Sequence, residues 1–168
     1  GVVDETRRSF AYLSLYGVAT DAVLVNRVLP DAAAEGWFAR WAAREREELA
    51  AIEASFPVPR FQAPLYAREL AGVSDLAGLA RDLYGERDPA ELFTRARPIR
   101  LRKHMGRPRL EIDLPGASKE ELEVTARGED LLVRVRDATR IVALPGSVAG
   151  RPVRRARLEA GVLTVDFE

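Results

Sequence analysis

The sequence predicts an incomplete α/β domain followed by an all-β antiparallel sandwich. Up to Arg95, helical patterns alternate with short apolar runs, and from about Ile99 alternating strand patterns with Gly and Pro turns replace them. The charge balance changes at the same place, because residues 1–96 carry 11 basic and 15 acidic side chains and residues 97–168 carry 15 and 11. We therefore expect two domains, 1–94 and 108–168, joined by a basic linker over 95–107 with the boundary near residue 96.

The first domain begins with a predicted helix and a predicted strand. The stretch "DETRRSFAYLSLYG" places Phe10, Leu13 and Tyr16 on one helical face and ends with Gly17 as a stop signal. The next stretch, "DAVLVNRV", predicts a buried strand because apolar residues occupy both of its faces.

A helix, a strand and a final helix complete the first domain. "PDAAAEGWFARWAAREREELAAIEASF" predicts a long helix with Trp37 and Trp41 on its apolar stripe. "VPRFQAP" predicts a strand, and "VSDLAGLARDLYG" predicts a helix from an N-cap at Ser74 to a stop at Gly85. Helices between strands imply parallel pairing. Because a two-stranded sheet is marginal alone, we expect the missing strands upstream of Gly1 or on another chain.

The second domain is predicted to contain six short antiparallel strands. They are expected in "RPRLEIDLPG", "EELEVTARG", "DLLVRVRD", "TRIVALPG", "VRRARLEAG" and "VLTVDFE". Leu110, Ile112 and Leu114 alternate with charged residues in the first of these, and Gly or Pro turns separate the strands, which is typical of a β-sandwich. The connection at Asp137–Thr139 is predicted to be a very short hairpin.

Composition argues against several classes of function. The formal net charge is zero, so no overall field attracts nucleic acid or an acidic membrane. The chain has no cysteine, which excludes disulfides, thiol catalysis and thiolate metal sites. No apolar stretch approaches the roughly 20 residues that span a bilayer. Acidic residues stand where a signal peptide has basic ones, so we expect a cytoplasmic protein without an integral membrane segment.

Candidates for catalysis or metal binding are few. No Gly is followed by Lys, so the chain lacks the glycine loop and lysine that hold a triphosphate. The single histidine, His104, is interpreted as a solvated linker residue. The carboxylates of Glu45, Glu47 and Glu48 are interpreted as a salt-bridged solvent face. We therefore assign no catalytic residue and no metal ligand.

Asn26 and the stretch "PLYARELAG" (Pro64–Gly72) lie at the ends of the two predicted strands. Ligands of open α/β sheets bind outside the carboxyl ends of strands. An Asn side chain offers an acceptor and two donors, which match the edge of adenine, and a rigid Pro-containing loop can wall off a base. From the residues alone, a structural turn role for Asn26 is favoured, and adenine binding is the alternative.

The same stretches resemble a known family. In "DETRRSFAYLSLYG", "DAVLVNRVLP" and "PLYARELAGVSDL", residues 1–85 are similar to the C-terminal part of the ATPase domain in the ArsA and tail-anchored-protein targeting family of deviant Walker P-loop ATPases. The resemblance implies part of a Rossmann-like parallel sheet of P-loop NTPase type. It also implies that Glu5 lies near the dimer and nucleotide interface. The residues implied to contact the adenine base are Asn26, with Arg27 beside it, and Pro64, Leu65 and Tyr66 on the other side.

Residues 109–168 resemble the α-crystallin domain of small heat-shock proteins. The resemblance lies in "DLPGASKEELEV" and "ARLEAGVLTV", and some bacterial and plastid relatives of the targeting ATPase carry such a domain at their C-terminus. The chain departs from the ATPase pattern because the phosphate loop, the switch regions and the catalytic Asp are absent, so hydrolysis by this chain alone is not expected. No Cys lies between Pro30 and Trp41, which excludes a zinc-held dimer, and the short hairpin argues against a heat-shock-type cage.

We therefore expect the C-terminal fragment of an ATPase that acts in membrane-protein targeting or in anion or metalloid transport. The missing N-terminal half would bind phosphate and Mg²⁺, so ATP or ADP with Mg is expected in the intact protein, together with a homodimer and a hydrophobic client. The alternative is a stand-alone, non-catalytic chaperone-like interaction module, with its contact edge next to "DLLVRVRD". A third interpretation makes the sandwich a structural cap on the ATPase half.

Overall fold

The computed structural model describes residues 1–95 and 97–168, which form two compact units. The sandwich unit comprises Gly1–Thr20 and the chain from residue 97 onward, and the central unit comprises Asp21–Arg95. The domain boundary expected near Ala96 lies outside the described residues.

The described helices and strands follow the predicted order, with one additional strand. In chain order they are α1 (Val2–Leu15), β1 (Val23–Val28), α2 (Ala39–Ser55), β2 (Arg60–Pro64), α3 (Gly72–Tyr84), β3 (Ile99–His104), β4 (Arg107–Asp113), β5 (Leu122–Arg127), β6 (Asp130–Val135), β7 (Ala138–Ala143), β8 (Val153–Glu159) and β9 (Val162–Phe167). The predicted fold class, a short α/β region followed by antiparallel sheets, is confirmed.

In the central unit, β1 and β2 pair in parallel, as the intervening helix predicted. Val25 lies opposite Gln62, but the next pair in register is Val28 opposite Pro64, so β1 carries one extra residue at Asn26–Arg27. This extra residue is a β-bulge, which bends a strand and redirects its side chains. The carboxyl end of β1 is therefore irregular at the two residues singled out from the sequence.

The long helix predicted over residues 30–56 is shorter than expected. Two 3₁₀ turns occupy Asp31–Ala34 and Gly36–Phe38, and the α-helix begins only at Ala39. Gly36 has a φ of +68°, which an α-helix cannot accommodate. The predicted apolar stripe is also wrong at its start, because Trp37 and Trp41 are 81% and 66% exposed.

Helix α3 ends as predicted but begins earlier. Gly85 has a φ of +59° and donates its backbone N–H to the carbonyl of Arg81 over 2.9 Å, as expected of a C-terminal glycine. The N-cap is Ala71, whereas Ser74, the predicted cap, lies inside the first turn. The carboxylate of Asp75, in the first turn, accepts the N–H of the N-cap residue Ala71 over 2.9 Å, and its negative charge stabilises the N-terminus of the helix.

Three aromatic rings pack against one another in the central unit. The ring of Phe61 lies 4.7 Å from that of Phe93 and 5.1 Å from that of Tyr84, measured between centroids. The carboxylate of Asp21 accepts the backbone N–H groups of Phe93 and Thr94 over 3.0 and 2.8 Å. The two ends of the central unit are thereby joined by hydrogen bonds.

The sandwich unit contains two antiparallel sheets within its described residues. Their strand orders are β3-β4-β9-β8 and β5-β6-β7. Residues that alternate along the strands, such as Ile112, Val133 and Leu163, are fully buried between the sheets. The six predicted strands correspond to β4–β9, and the connection of β6 to β7 is as short as predicted, although it lies at Arg136–Asp137.

Strand β3 is the additional strand, since its sequence, Ile99–His104, is mostly basic and falls within the linker predicted over 95–107. It pairs with β4 through a tight turn at Met105–Gly106, where both residues have positive φ. It is an edge strand, and edge strands often carry basic side chains that discourage further pairing.

Helix α1 packs into the sandwich core with a face different from the one predicted. Its buried residues are Phe10, Ala11, Ser14 and Leu15, whereas the predicted Leu13 and Tyr16 are 43% and 47% exposed. The expectation was therefore right for Phe10 and wrong for the other two. The helix continues to Leu15, and Gly17 follows it with a φ of +79°.

Candidate functional site

Asn26 lies at the bulge of β1 and is exposed. Its Oδ1 accepts the backbone N–H of Arg27 over 2.9 Å, and Arg27 has a φ of +61°. A non-glycine residue in this left-handed region is strained, and such strain persists where the surrounding structure holds it. Asn26 therefore does act on the backbone, as the turn interpretation expected.

The hydrogen bond from Arg27 leaves one lone pair of Asn26 Oδ1 and both hydrogens of its amide nitrogen available to a ligand. An amide oxygen has two lone pairs and an amide nitrogen two hydrogens, and the Arg27 N–H uses one lone pair. Among the described residues, the Asn26 nitrogen has no hydrogen-bond acceptor. The turn role and recognition of a ligand are therefore compatible in this side chain.

The Pro64–Tyr66 loop is joined directly to the end of β1. The backbone N–H of Leu65 donates to the carbonyl of Val28 over 2.7 Å. Leu65 is 44% exposed, while Pro64 and Tyr66 are half-buried. The structure thus places the predicted loop at the same strand ends as Asn26, as parallel pairing requires.

Two polar contacts anchor the loop to α3. The Tyr66 hydroxyl donates to the carboxylate of Asp82, and this hydrogen bond raises the pKa of Tyr66 above its usual value. Both terminal nitrogens of Arg68 donate to Asp75 over 2.6 Å. The Arg68 guanidinium and then the Ala71 N–H lower the pKa of Asp75 to about 2. The loop is therefore held at both ends of the helix.

The structure places the five predicted residues together at the carboxyl ends of β1 and β2. Pro64 and Leu65 present apolar surface, on which an aromatic base can pack. Asn26 supplies free donors for ring nitrogens. This arrangement can bind and orient a base, but it contains no nucleophile or general base. Among residues 1–95 and 97–168, no group of three or more His, Cys, Asp or Glu side chains is placed to hold a metal ion.

Several residues that shape this region were not recognised from the sequence. Glu45, expected on a solvent face, accepts the backbone N–H of Leu29 over 2.8 Å and so ties α2 to the segment after β1. Arg44 and Glu48 do form an exposed ion pair of 3.3 Å. An open cleft borders this contact, lined by Leu29, Trp37, Arg40, Trp41, Arg44, Glu45 and Glu48. No local pattern distinguished Glu45 from its acidic neighbours.

Glu5 belongs to α1 and hence to the sandwich unit. Its exposed carboxylate pairs with Arg8 over 3.3 Å. Within the described residues, no helix combines the length and apolar character that crossing a bilayer requires.

Comparison with known families identifies both parts of the chain. Residues 106–167 match the family model described as an HSP20-like domain found in ArsA, so the sandwich is of the small heat-shock type. Residues 1–85, half of the chain, match the family model of the anion-transporting ATPases. The chain belongs to the ArsA family of anion-transporting ATPases.

Individual relatives extend beyond this chain. It is 31% identical over 163 residues to "Putative arsenical pump-driving ATPase 1" of Aquifex aeolicus, covering 94% of this chain and 41% of that protein. It is 34% identical over 167 residues to an uncharacterized protein of Streptomyces coelicolor, covering 98% and 41%. The chain thus spans about two fifths of the length of these relatives. Among solved structures, hsp14.1 of Sulfolobus is 23% identical, with a TM-score of 0.33, covering 42% of this chain and 74% of that one.

Proposed function

We propose that the intact protein is an ArsA-type ATPase and that this chain supplies the adenine side of its nucleotide site. Asn26 recognises the edge of the base, Arg27 lies beside it, and Pro64, Leu65 and Tyr66 line its other side. The observation that carries this proposal is the bulge at Asn26–Arg27, joined to the loop by the Leu65–Val28 hydrogen bond. A bulge that redirects an amide at the carboxyl end of a parallel strand is typical of a ligand site.

We assign phosphate binding and hydrolysis to the rest of the intact protein. ATP with Mg²⁺ supplies a phosphoryl group whose transfer to water releases the energy for the protein's work. The lysine-containing phosphate loop and the catalytic Asp are not in this sequence, so those tasks belong to the rest of the intact protein. The residues of this chain bind and orient the base, and none of them moves a proton in the reaction.

The work driven by ATP is proposed to be transport of an anion or metalloid, or targeting of a membrane protein with a hydrophobic client. Relatives named for an arsenical pump support the first. The intact protein is proposed to be a cytoplasmic homodimer.

Two substitutions of Asn26 in the intact protein separate base recognition from the turn role. Asn26→Asp keeps an oxygen for the Arg27 N–H but removes both amide donors, whereas Asn26→Ala removes both functions. If the amide reads the base, each variant weakens ATP binding by about 1–3 kcal/mol, or about 5- to 150-fold. Calorimetric titration with ATP and GTP measures the effect, which should be largest for ATP.

The control is Glu47→Ala, on the exposed face of α2, and it should bind ATP like the wild type. Normal ATP affinity in Asn26→Asp, together with reduced stability in Asn26→Ala, would assign Asn26 to the turn alone and contradict the proposal.

A chaperone-like interaction module is the second candidate. Strand β7 is a sheet edge, and Ile141 on it is 59% exposed, a combination that suits addition of an extended segment from a client. This edge lies next to "DLLVRVRD", where it was expected, because β6 is the middle strand of its sheet and β7 pairs with it. Suppression of aggregation of a reduced, unfolding model protein, lost in Ile141→Lys, would support it; no suppression by the wild type would count against it.

A further inference from the structure

Helix α1 lies in the segment that matches the ATPase family, yet its buried face belongs to the core of the sandwich. The ATPase match covers residues 1–85, and the HSP20-like match begins only at residue 106. Ala11 and Leu15 are 2% and 0% exposed and lie in one apolar cluster with Leu114 and Val133. The two family segments therefore share a hydrophobic core.

Polar contacts hold the C-terminal half of α1 on the β6–β7 hairpin. The Tyr12 hydroxyl donates to the carboxylate of Asp137 in the hairpin turn. The Tyr16 hydroxyl, just after the helix, donates to the backbone carbonyl of Thr139 over 3.2 Å. The guanidinium of Arg140 lies 5.7 Å from the centre of the Tyr16 ring, within the range of a cation–π interaction.

Arg7 on α1, and Gly17 just after the helix, lie near residues of the other sheet or its connections. Gly116, which follows β4, approaches Arg7 so closely that a Cβ on Gly116 would lie 2.9 Å from the Cβ of Arg7. At the far end, a Cβ on Gly17 would lie 4.0 Å from the Cδ1 of Ile99 on β3. From Arg7 onward, α1 therefore lies against residues of both sheets.

The face of α1 opposite its buried residues is exposed. It carries Glu5, Ser9 and Leu13, and the Glu5 carboxylate pairs with Arg8 at the surface. A helix anchored on one side presents the groups on its other side at fixed positions, which is what a precise site requires.

We propose that the HSP20-like sandwich is a brace that positions α1 for the ATPase, with Tyr12 and Asp137 as positioning residues. This inference rests on the proposed ATPase function. The partner of this sandwich surface is the amphipathic helix of the same chain, already seated on it. A client that used the same surface would have to displace α1.

The test uses sandwich-side substitutions in the intact protein, so that the ATPase sequence itself is unchanged. Asp137→Ala and Arg140→Ala remove the two hairpin side chains that hold α1, and both lie at the surface. The matched control is Arg134→Ala, on β6, whose exposed side chain pairs with Glu123 instead of α1. Hydrogen exchange of the α1 amides, the ATP dissociation constant and the kcat and KM of hydrolysis are measured for each.

We expect exchange of the α1 amides to accelerate and kcat to fall by about two- to tenfold in the two variants, the factor that corresponds to one hydrogen bond. The ATP dissociation constant should stay unchanged because the Asn26 site is intact. Asp137→Asn, which keeps an acceptor oxygen, should restore part of kcat, and Arg134→Ala should match the wild type.

Unchanged kcat despite faster exchange in α1, or unchanged exchange, would overturn the brace. A fall in kcat that Asp137→Asn does not relieve, with faster exchange throughout the sandwich, would show general destabilisation and overturn it as well. If the intact wild type binds no ATP, the proposed function fails first, and that result is distinguishable because it needs no variant.

Discussion

The Tyr12 hydroxyl donates a hydrogen bond to the carboxylate of Asp137, a residue 125 positions further along the chain. The bond favours the neutral phenol and the ionised carboxylate, so it raises the pKa of Tyr12 and lowers the pKa of Asp137. It joins a helix of the ATPase segment to a hairpin of the sandwich. Its stabilising effect therefore depends on pH in a direction that can be worked out.

The stability difference between the wild type and Tyr12→Phe should be largest between about pH 5 and pH 9. A carboxyl with a lowered pKa contributes stability that is present above its ordinary value of about 3.9 and is lost as pH falls through the folded value. A phenol with a raised pKa contributes stability below its ordinary value of about 10, and this is lost as pH rises further. Thermal unfolding of the 168-residue chain at several pH values measures the difference.

The same comparison in an Asp137→Ala background is the control for this hydrogen bond. There, removal of the Tyr12 hydroxyl should have little effect at any pH. An equal difference at pH 2 and pH 7 in the original background would mean that the hydroxyl acts without the carboxylate.

Leu15→Ala should destabilise the sandwich unit far more than Leu13→Ala. Leu15 is fully buried among sandwich residues, while Leu13 is 43% exposed on the same helix. Truncating a buried Leu costs about 2–5 kcal/mol, whereas exposed substitutions stay within about 0.5 kcal/mol. Urea unfolding followed by NMR signals of the β4 and β9 amides gives both free energies of unfolding. Equal costs would mean that the face predicted from the sequence is the packed one.

The sequence predicted that α1 is a helix but not which of its faces is buried, because the buried face is set by the strands that pack against it. Phe10, Leu13 and Tyr16 are spaced correctly for one helical face, but so are Ala11, Ser14 and Leu15. Small Ala and Ser residues allow the helix to approach the sheets closely, and a hydrophobicity pattern gives them little weight. The choice between the two faces depends on a partner more than 80 residues away in sequence.

In the candidate site, too, features within one short stretch could be predicted from the sequence, whereas contacts between residues far apart in the chain could not. The Asn at a strand end and the Pro-containing loop were recognisable because each lies in one short stretch. Their anchors were not, since the partner of Tyr66 is Asp82, 16 residues later, and the partner of Leu29 is Glu45. Such partners come together only through the β–loop–α geometry of the central unit.

The carboxyl of Asp75 should titrate at about pH 2, and Arg68→Ala should move this titration toward the ordinary value of about 4. Because the folded pKa is lowered, the ion pair holds the loop above about pH 4 and is lost as pH falls toward 2. Carboxyl carbon NMR of the 168-residue chain follows the titration directly. Arg81→Ala, on the same helix, should leave it unchanged. An Asp75 midpoint that Arg68→Ala does not move would contradict the bidentate pair.

Gly161→Ala should destabilise the sandwich unit more than Gly128→Ala, although both glycines lie in hairpin turns with positive φ, +73° and +56°. Alanine in that region costs about 1–2 kcal/mol at either position. A Cβ on Gly161 would also lie 3.0 Å from the Cα of Pro115, whereas one on Gly128 meets nothing within 4 Å.

The neighbour of Gly161 is backbone, and the N–H of Leu114 donates to the Gly161 carbonyl over 2.7 Å, so the contact cannot be relieved by turning a side chain. Overpacking of this kind adds about 1–3 kcal/mol. Free energies of unfolding from urea titrations, read on the β8 and β9 amides by NMR, compare the two variants. Because both glycines have positive φ, the difference between the two losses in free energy of unfolding measures the clash with Pro115. Equal losses would mean that Pro115 lies farther from the hairpin than the structure places it.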